Sequence, residues 1–262
     1  MPTRQTPDRH PLIPTDTRFR APGDGSSMSI DAALFDLDDT LYPYPPCNRA
    51  GKEAAFEAAR ERGYDLDRDG FESLYQAGRR AVKREVPGTA ASHERFLYVK
   101  RGLELHAGTA APGDARAIGE AFWEAYLEAM TCYPAVEETL AGLRERGIDV
   151  GIVTNLTTRI QLAKLERLGL AEAIDFLLTS EETGREKPGS VMFTLPLARL
   201  DRRASEVVMV GDDVDADIVG ANAVGLETVL FDPRGEVEES LEGEREPDHR
   251  IDAFAKLSEV IL

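Results

Sequence analysis

Five short apolar runs, each closing in polar residues and separated by helical stretches, set the first limit on what this chain can become. Ala32-Ala33-Leu34-Phe35 ends at Asp36, and Ile148–Thr154, Ile174–Thr179, Glu206–Val210 and Glu227–Phe231 read the same way. Runs that are apolar at successive rather than alternate positions are strands buried on both faces. The segments between them carry helical spacing. In Thr158–Leu168, for example, Ile160, Leu162, Leu165 and Leu168 are expected to share one face. Strand alternating with helix implies right-handed crossovers, and these give a parallel sheet covered on both sides.

That alternation breaks between about Pro43 and Met130. No strand pattern occurs there, whereas Glu53–Arg62, Gly70–Arg84 and Ala115–Ala129 carry long helical patterns. Pro87-Gly88 and Ala111-Pro112-Gly113 punctuate them. The expected organisation is an α/β core, residues 28–42 and 131–262, with a helical cap, residues 43–130, inserted after the first strand. Residues 1–27 contain Pro2, Pro7, Pro11, Pro14 and Pro22 and show no helix or strand period. They read as a disordered tail, with Met28 as the natural start.

A chain of 262 residues has room for one good core and a smaller second domain. Its hydrophobic fraction of 42% and charged fraction of 30% are those of a globular protein. No apolar run approaches the roughly 20 residues that cross a bilayer, and the N-terminus lacks the apolar stretch of a signal peptide. Cys47 and Cys132 lie far apart with no metal-like spacing, so free thiols in a cytoplasmic protein are expected. The net charge of -17 argues against nucleic acid as a partner. Six lysines against 25 arginines make an acidic, lysine-poor surface. Such a surface suits a cytosol of very high salt, and equally an ordinary acidic protein from a GC-rich genome.

In an open parallel sheet the ligand sits beyond the carboxyl ends of the strands, so the polar residues there deserve the closest reading. The first strand is followed by Asp36-Leu37-Asp38-Asp39-Thr40, the second ends in Thr154-Asn155, and the fourth is followed by Gly211-Asp212-Asp213. Lys187-Pro188 opens the helix before the fourth strand. These types suit phosphate-ester chemistry, in which charge must be neutralised and the reaction divided into steps. Carboxylates hold Mg2+, a hard cation that prefers oxygen ligands. Asp36 can attack phosphorus to give an aspartyl phosphate. Asp38 can protonate the leaving oxygen and later take a proton from water. The Thr154 hydroxyl and the Asn155 backbone N–H can hold phosphoryl oxygens. Lys187 adds positive charge beside the nucleophile, and Asp212 completes the metal site.

Taken in order, Phe35-Asp36-Leu37-Asp38-Asp39-Thr40-Leu41-Tyr42, Val153-Thr154-Asn155, Glu186-Lys187-Pro188 and Val210 to Ile218 resemble the four motifs of the haloacid dehalogenase-like hydrolases. The likeness spans roughly residues 30 to 232. It implies a Rossmann-like α/β core with an inserted α-helical cap, Asp36 as nucleophile and Asp38 as acid and base. It also implies Mg2+ held by Asp36, the Asp38 backbone carbonyl and Asp212. Asp213 stands where relatives often carry Ser, which leaves a water-mediated role at the metal open. Asp217 is expected to cap or orient the following helix.

The resemblance implies a Mg2+-dependent phosphatase acting on a small phosphorylated metabolite. A dehalogenase uses the same nucleophile but lacks the acid found here at Asp38. A phosphomutase or an idle binding protein on this fold are further readings of the same residues. His93 and His106 are expected at the surface or in packing. Phe122, Trp123 and Tyr126 are expected in the core of the cap, and Glu236–Glu246 in a solvated loop.

Overall fold

A computed structural model of the chain, which describes residues 29–261, shows a six-stranded, wholly parallel sheet with helices on both faces. The expected tail, residues 1–27, and Met28 lie outside the described residues. The strands are β1 (Ala32–Phe35), β2 (Asp149–Thr154), β3 (Phe176–Thr179), β4 (Val207–Gly211), β5 (Glu227–Phe231) and β6 (His249–Ile251). They lie in the order β3-β2-β1-β4-β5-β6, a Rossmann-like winding in which the chain reverses direction between β1 and β4. The five expected strands are present to within two residues at each end. β6 was not foreseen; it is three residues long, carries Arg250 at its centre and pairs on one side only, so it has no apolar run to betray it.

Period-two geometry divides β1 between two cores. Ala33 and Phe35 pack on one face with Val150, Ile152, Val208 and Val210. Ala32 and Leu34 pack on the other, against Met192 and Phe193 of α8 (Val191–Leu200). The first face is closed by α5 (Val136–Glu145) and α10 (Leu257–Ile261). Phe35 is in register with Ile152 and with Val210, so the residues that follow these strands leave the sheet at one edge.

Between β1 and α5 the chain forms α1 (Tyr44–Glu61), α2 (Arg68–Glu85), α3 (Arg95–Ala107) and α4 (Pro112–Glu128). Local chemistry sets their ends. The Asp67 carboxylate caps α2 by accepting from Gly70 N at 2.8 Å, and α3 stops at Gly108, whose φ of 68° is left-handed. α3 is absent from the sequence reading, because its charged residues and Gly102 interrupt the apolar spacing. Gly102 is nonetheless the reason α3 can lie on α2. A side chain there would meet the Leu74 carbonyl at 2.7 Å, and Gly78 of α2 has the same relation to the Tyr98 carbonyl of α3. Phe122, Trp123 and Tyr126 are buried as expected, in a chain of aromatic contacts.

The remaining helices are α6 (Thr158–Leu168), α7 (Ser180–Thr183) and α9 (Val219–Asn222). α6 spans the residues expected, but its inner face differs. Leu162 is 54% exposed, whereas Gln161 and Lys164 are fully buried beside Ile160 and Leu165. Among the described residues no helix is long and apolar enough to cross a membrane.

Candidate active site

The edge where β1, β2 and β4 end opens into a cleft of about 470 Å³, lined by Asp36, Asp38, Thr154, Asn155, Lys187 and Asp212. All six of the sequence-derived site residues are therefore brought together. On its other side the cleft is walled by α2 and by residues 93–98.

Asp36 lies one residue past β1, its backbone N–H donating to the Val210 carbonyl at 2.9 Å. Lys187 Nζ sits 2.5 Å from Asp36 Oδ1 and 2.6 Å from Asp217 Oδ1, with its side chain almost wholly enclosed. The backbone of Lys187 is fixed in turn by its N–H, which donates to Asn155 Oδ1 at 2.9 Å. Asp212 accepts from the Thr40 hydroxyl at 2.8 Å. Carboxylate oxygens of Asp36, Asp212 and Asp217 lie within 4.8 Å of one another.

That concentration of buried acid is costly. Burial pushes the Asp36 carboxyl up to about 7; Lys187 opposes the rise, and the charges of Asp217 and Asp38 add to it. Asp212 is driven up to about 9 by burial and by the facing charges of Asp36 and Asp217. Burial would lower Lys187, but Asp217 and Asp36 outweigh it and hold the ammonium charged. Three clustered carboxylates carry more negative charge than one lysine can balance; with Asp217 paired to Lys187, the hard oxygens of Asp36 and Asp212 suit a divalent cation such as Mg2+.

Asp217 enters this cluster, whereas the sequence led us to expect it to cap or orient the following helix and left a water-mediated metal role open for Asp213. It is Asp213 that caps: its Oδ1 accepts from Asp215 N and Ala216 N, each at 2.9 Å. Residues 214–218 form a wide helical turn that carries Asp217 back beneath the strand end, where Asp217 Oδ2 accepts from Asp213 N at 3.1 Å. Gly211 permits this approach, because the Asp217 carboxylate lies where a Cβ would stand. The four-residue spacing from Asp213 to Asp217 was visible; which of the two turned inward was not.

Asp38 has a different environment from Asp36. Lys164 Nζ is 2.5 Å from its Oδ1, Gln161 Nε2 donates to its Oδ2 at 3.0 Å, and the Tyr42 and Tyr126 hydroxyls both reach its Oδ1. Burial works to raise this carboxyl, but Lys164 and these hydrogen bonds overcome it and hold the group well below the usual carboxylate range. Thr154, buried, accepts from the same Gln161 amide at 2.7 Å. Lys164 itself is 1% exposed, its ammonium 5.4–5.8 Å from the ring centres of Tyr42, Trp123 and Tyr126. Sequence reasoning missed Gln161 and Lys164. The signal was a polar pair three residues apart within the apolar stripe of α6. His93 also proved less peripheral than expected: its Nε2 is 2.6 Å from Glu186, next to Lys187, and it lines the cleft.

A family model described as haloacid dehalogenase-like hydrolase matches residues 30–225. The chain is 65% identical to a ribulose-1,5-bisphosphate 5-phosphatase of Halopiger xanaduensis, over 88% of this chain and 98% of that one. It is 34% identical to a glyceraldehyde 3-phosphate phosphatase of Methanopyrus kandleri, over 88% and 97%. Among solved structures, a 2-haloacid dehalogenase of Pseudomonas syringae matches with a TM-score of 0.70 at 27% identity, covering 88% of this chain and 98% of that one. The chain belongs to the haloacid dehalogenase-like hydrolases. Within that family it is an enzyme, a phosphoric monoester hydrolase.

Proposed function

We propose that the chain is a Mg2+-dependent phosphatase that moves the phosphoryl group of a small phosphorylated sugar to Asp36 and then to water. The observation that carries this reading is the cluster of Asp36, Asp212 and Asp217, two of them paired with Lys187, opening into a cleft that also holds Asp38. The sugar is the class named for the relatives of Halopiger and Methanopyrus.

Asp36, the Asp38 backbone carbonyl and Asp212 would hold the metal. When bound, Mg2+ supplies positive charge against the phosphoryl oxygens and keeps the neighbouring acids ionised. An Asp36 oxygen forms a bond to phosphorus as the bond from phosphorus to the sugar oxygen breaks, and that oxygen takes a proton from Asp38. Lys164 keeps Asp38 ionised in the free enzyme. A phosphate dianion arriving beside it raises its affinity for a proton, so the acid is loaded as substrate enters. In the second half Asp38 takes a proton from water, whose oxygen bonds to phosphorus. The bond to Asp36 then breaks and inorganic phosphate leaves. Lys187, Thr154 and the Asn155 N–H steady the phosphoryl oxygens throughout.

Asp38 separates this reading from halide displacement, which has no leaving oxygen to protonate. Helices α1–α4, residues 43–130, act as the cap that closes over the leaving group. Cys47 and Cys132 are free thiols, in keeping with work in the cytoplasm. The test is phosphate release from a panel that includes ribulose 1,5-bisphosphate and glyceraldehyde 3-phosphate, with Mg2+ and with excess chelator, in low and multimolar salt. Release that needs the metal and is lost in Asp36→Asn upholds the reading. No release from any ester by the folded, metal-loaded protein overturns it.

A further inference from the structure

The two walls of the cleft differ in charge. Aspartates dominate the sheet side, and Lys187, the one cation that lines it among the described residues, is ion-paired with Asp36 and Asp217. The helical side carries Arg79, Lys83 and Arg95. Arg79 and Lys83 are four residues apart on α2, so they stand on one helix face, a turn and two turns beyond Tyr75, which lines the same cleft.

Among the described residues none of these three cations is paired with a carboxylate, and the acids around them are engaged elsewhere. Glu85 pairs with Arg101, Glu186 with His93, and Glu94 accepts from Trp123 and Thr157. Arg95 is only 8% exposed. Its guanidinium donates to the Tyr44 hydroxyl at 2.9 Å and to the His93 carbonyl, and lies 5.4 Å from the Trp123 ring centre, yet its Nε has no partner. Burial lowers the pKa of Lys83; Glu186 opposes that change, and Arg79 and Arg95 add to it. In a chain of net charge -17, three cations gathered on one wall, none in ion-pair contact with a carboxylate among the described residues and only Lys83 facing an acid, Glu186, make a site suited to an anion.

The phosphoryl group that reacts belongs at Asp36, so this wall serves a different group. We infer that Arg79 and Lys83, with the buried charge of Arg95 behind them, bind a second phosphate, and that the substrate is a sugar bisphosphate spanning the cleft. The inference rests on the phosphatase reading above and adds to it the residues that select the substrate. A cleft of about 470 Å³ falls within the roughly 300–1,000 Å³ of small-ligand sites. Binding energy from the remote phosphate would position the reacting one.

The experiment compares kcat/KM for ribulose 1,5-bisphosphate and ribulose 5-phosphate, with Mg2+, in the wild type and in Arg79→Gln, Lys83→Gln and the charge-keeping Arg79→Lys. The wild type should favour the bisphosphate at least tenfold. Each Gln variant should reduce that ratio at least tenfold, mainly through KM, and Arg79→Lys should recover part of it. In parallel, calorimetry measures ribulose 1,5-bisphosphate binding to Asp36→Asn protein with and without Lys83→Gln, which should weaken binding at least tenfold. A ratio and an affinity that Lys83→Gln leaves unchanged, in protein whose circular dichroism is that of the wild type, overturn the second site. If no ester is hydrolysed the phosphatase reading falls, and the calorimetry still decides the subsite in either direction.

Discussion

Asp38 meets four side-chain donors, and Lys164 is the one that fixes its charge. Replacing Lys164 with Met leaves the partly buried carboxylate without its cation, which should cost about 1–3 kcal/mol of stability and lower kcat by about 100-fold or more. Unchanged melting and turnover would show that the pair is incidental. Asp36 and Asp212 carry the opposite perturbation. Their folded pKa values of about 7 and about 9 exceed the ordinary 3.8, so the metal-free fold holds protons that the unfolded chain releases. The stability these protons confer is present below about pH 4 and is lost as pH rises through 7 and then 9. Mg2+ competes with those protons. Its stabilising shift in Tm should therefore grow from about pH 6 to about pH 8.5 and be largely lost in Asp212→Asn, as scanning fluorimetry would show. A shift that does not depend on pH would contradict the acid cluster as the metal site. Asp36, Asp38, Thr154, Asn155 and Asp212 were legible because each stands at or just past a strand end, and Lys187 because it precedes a helix, although it lies in the turn before α8 and does not open it. Gln161, Lys164, Arg79 and Lys83 sit within helices, where spacing alone does not tell a solvated side chain from one turned inward.

At the scale of elements, α2 and α3 touch through glycine on both sides. Gly78→Ala forces a methyl group into the Tyr98 carbonyl and should destabilise by about 1–3 kcal/mol through overpacking. Since α2 carries Arg79 and Lys83 into the cleft, the same change should raise KM for a phosphorylated sugar, whereas Gly113→Ala, in open space at the start of α4, should alter neither. A Gly78→Ala protein with wild-type melting would mean that the helices are not so closely joined. The core strands were readable from apolar runs, and α6 was found at its full length. β6 and α3 were not, for the same physical reason: tertiary contacts supply what their own sequences lack. β6 is held by the Val229–Phe231 edge of β5, and α3 by Gly102 against Leu74.

For the molecule as a whole, 48 acidic against 31 basic residues means that self-repulsion opposes the compact state at low ionic strength. Screening shortens from about 10 Å at 0.1 M to about 3 Å at 1 M salt, so Tm should rise steeply with KCl into the molar range. A Tm insensitive to KCl would favour the reading of an ordinary acidic protein. Turnover as proposed requires above all that Asp36 carry the phosphoryl group. Acid quenching of the enzyme during turnover of ribulose 1,5-bisphosphate with Mg2+, followed by borohydride reduction and peptide mass spectrometry, reads this directly. Asp36 should be converted to homoserine, dependent on substrate and metal. Rapid phosphate release with Asp36 left intact, or with the label on another residue, would contradict it.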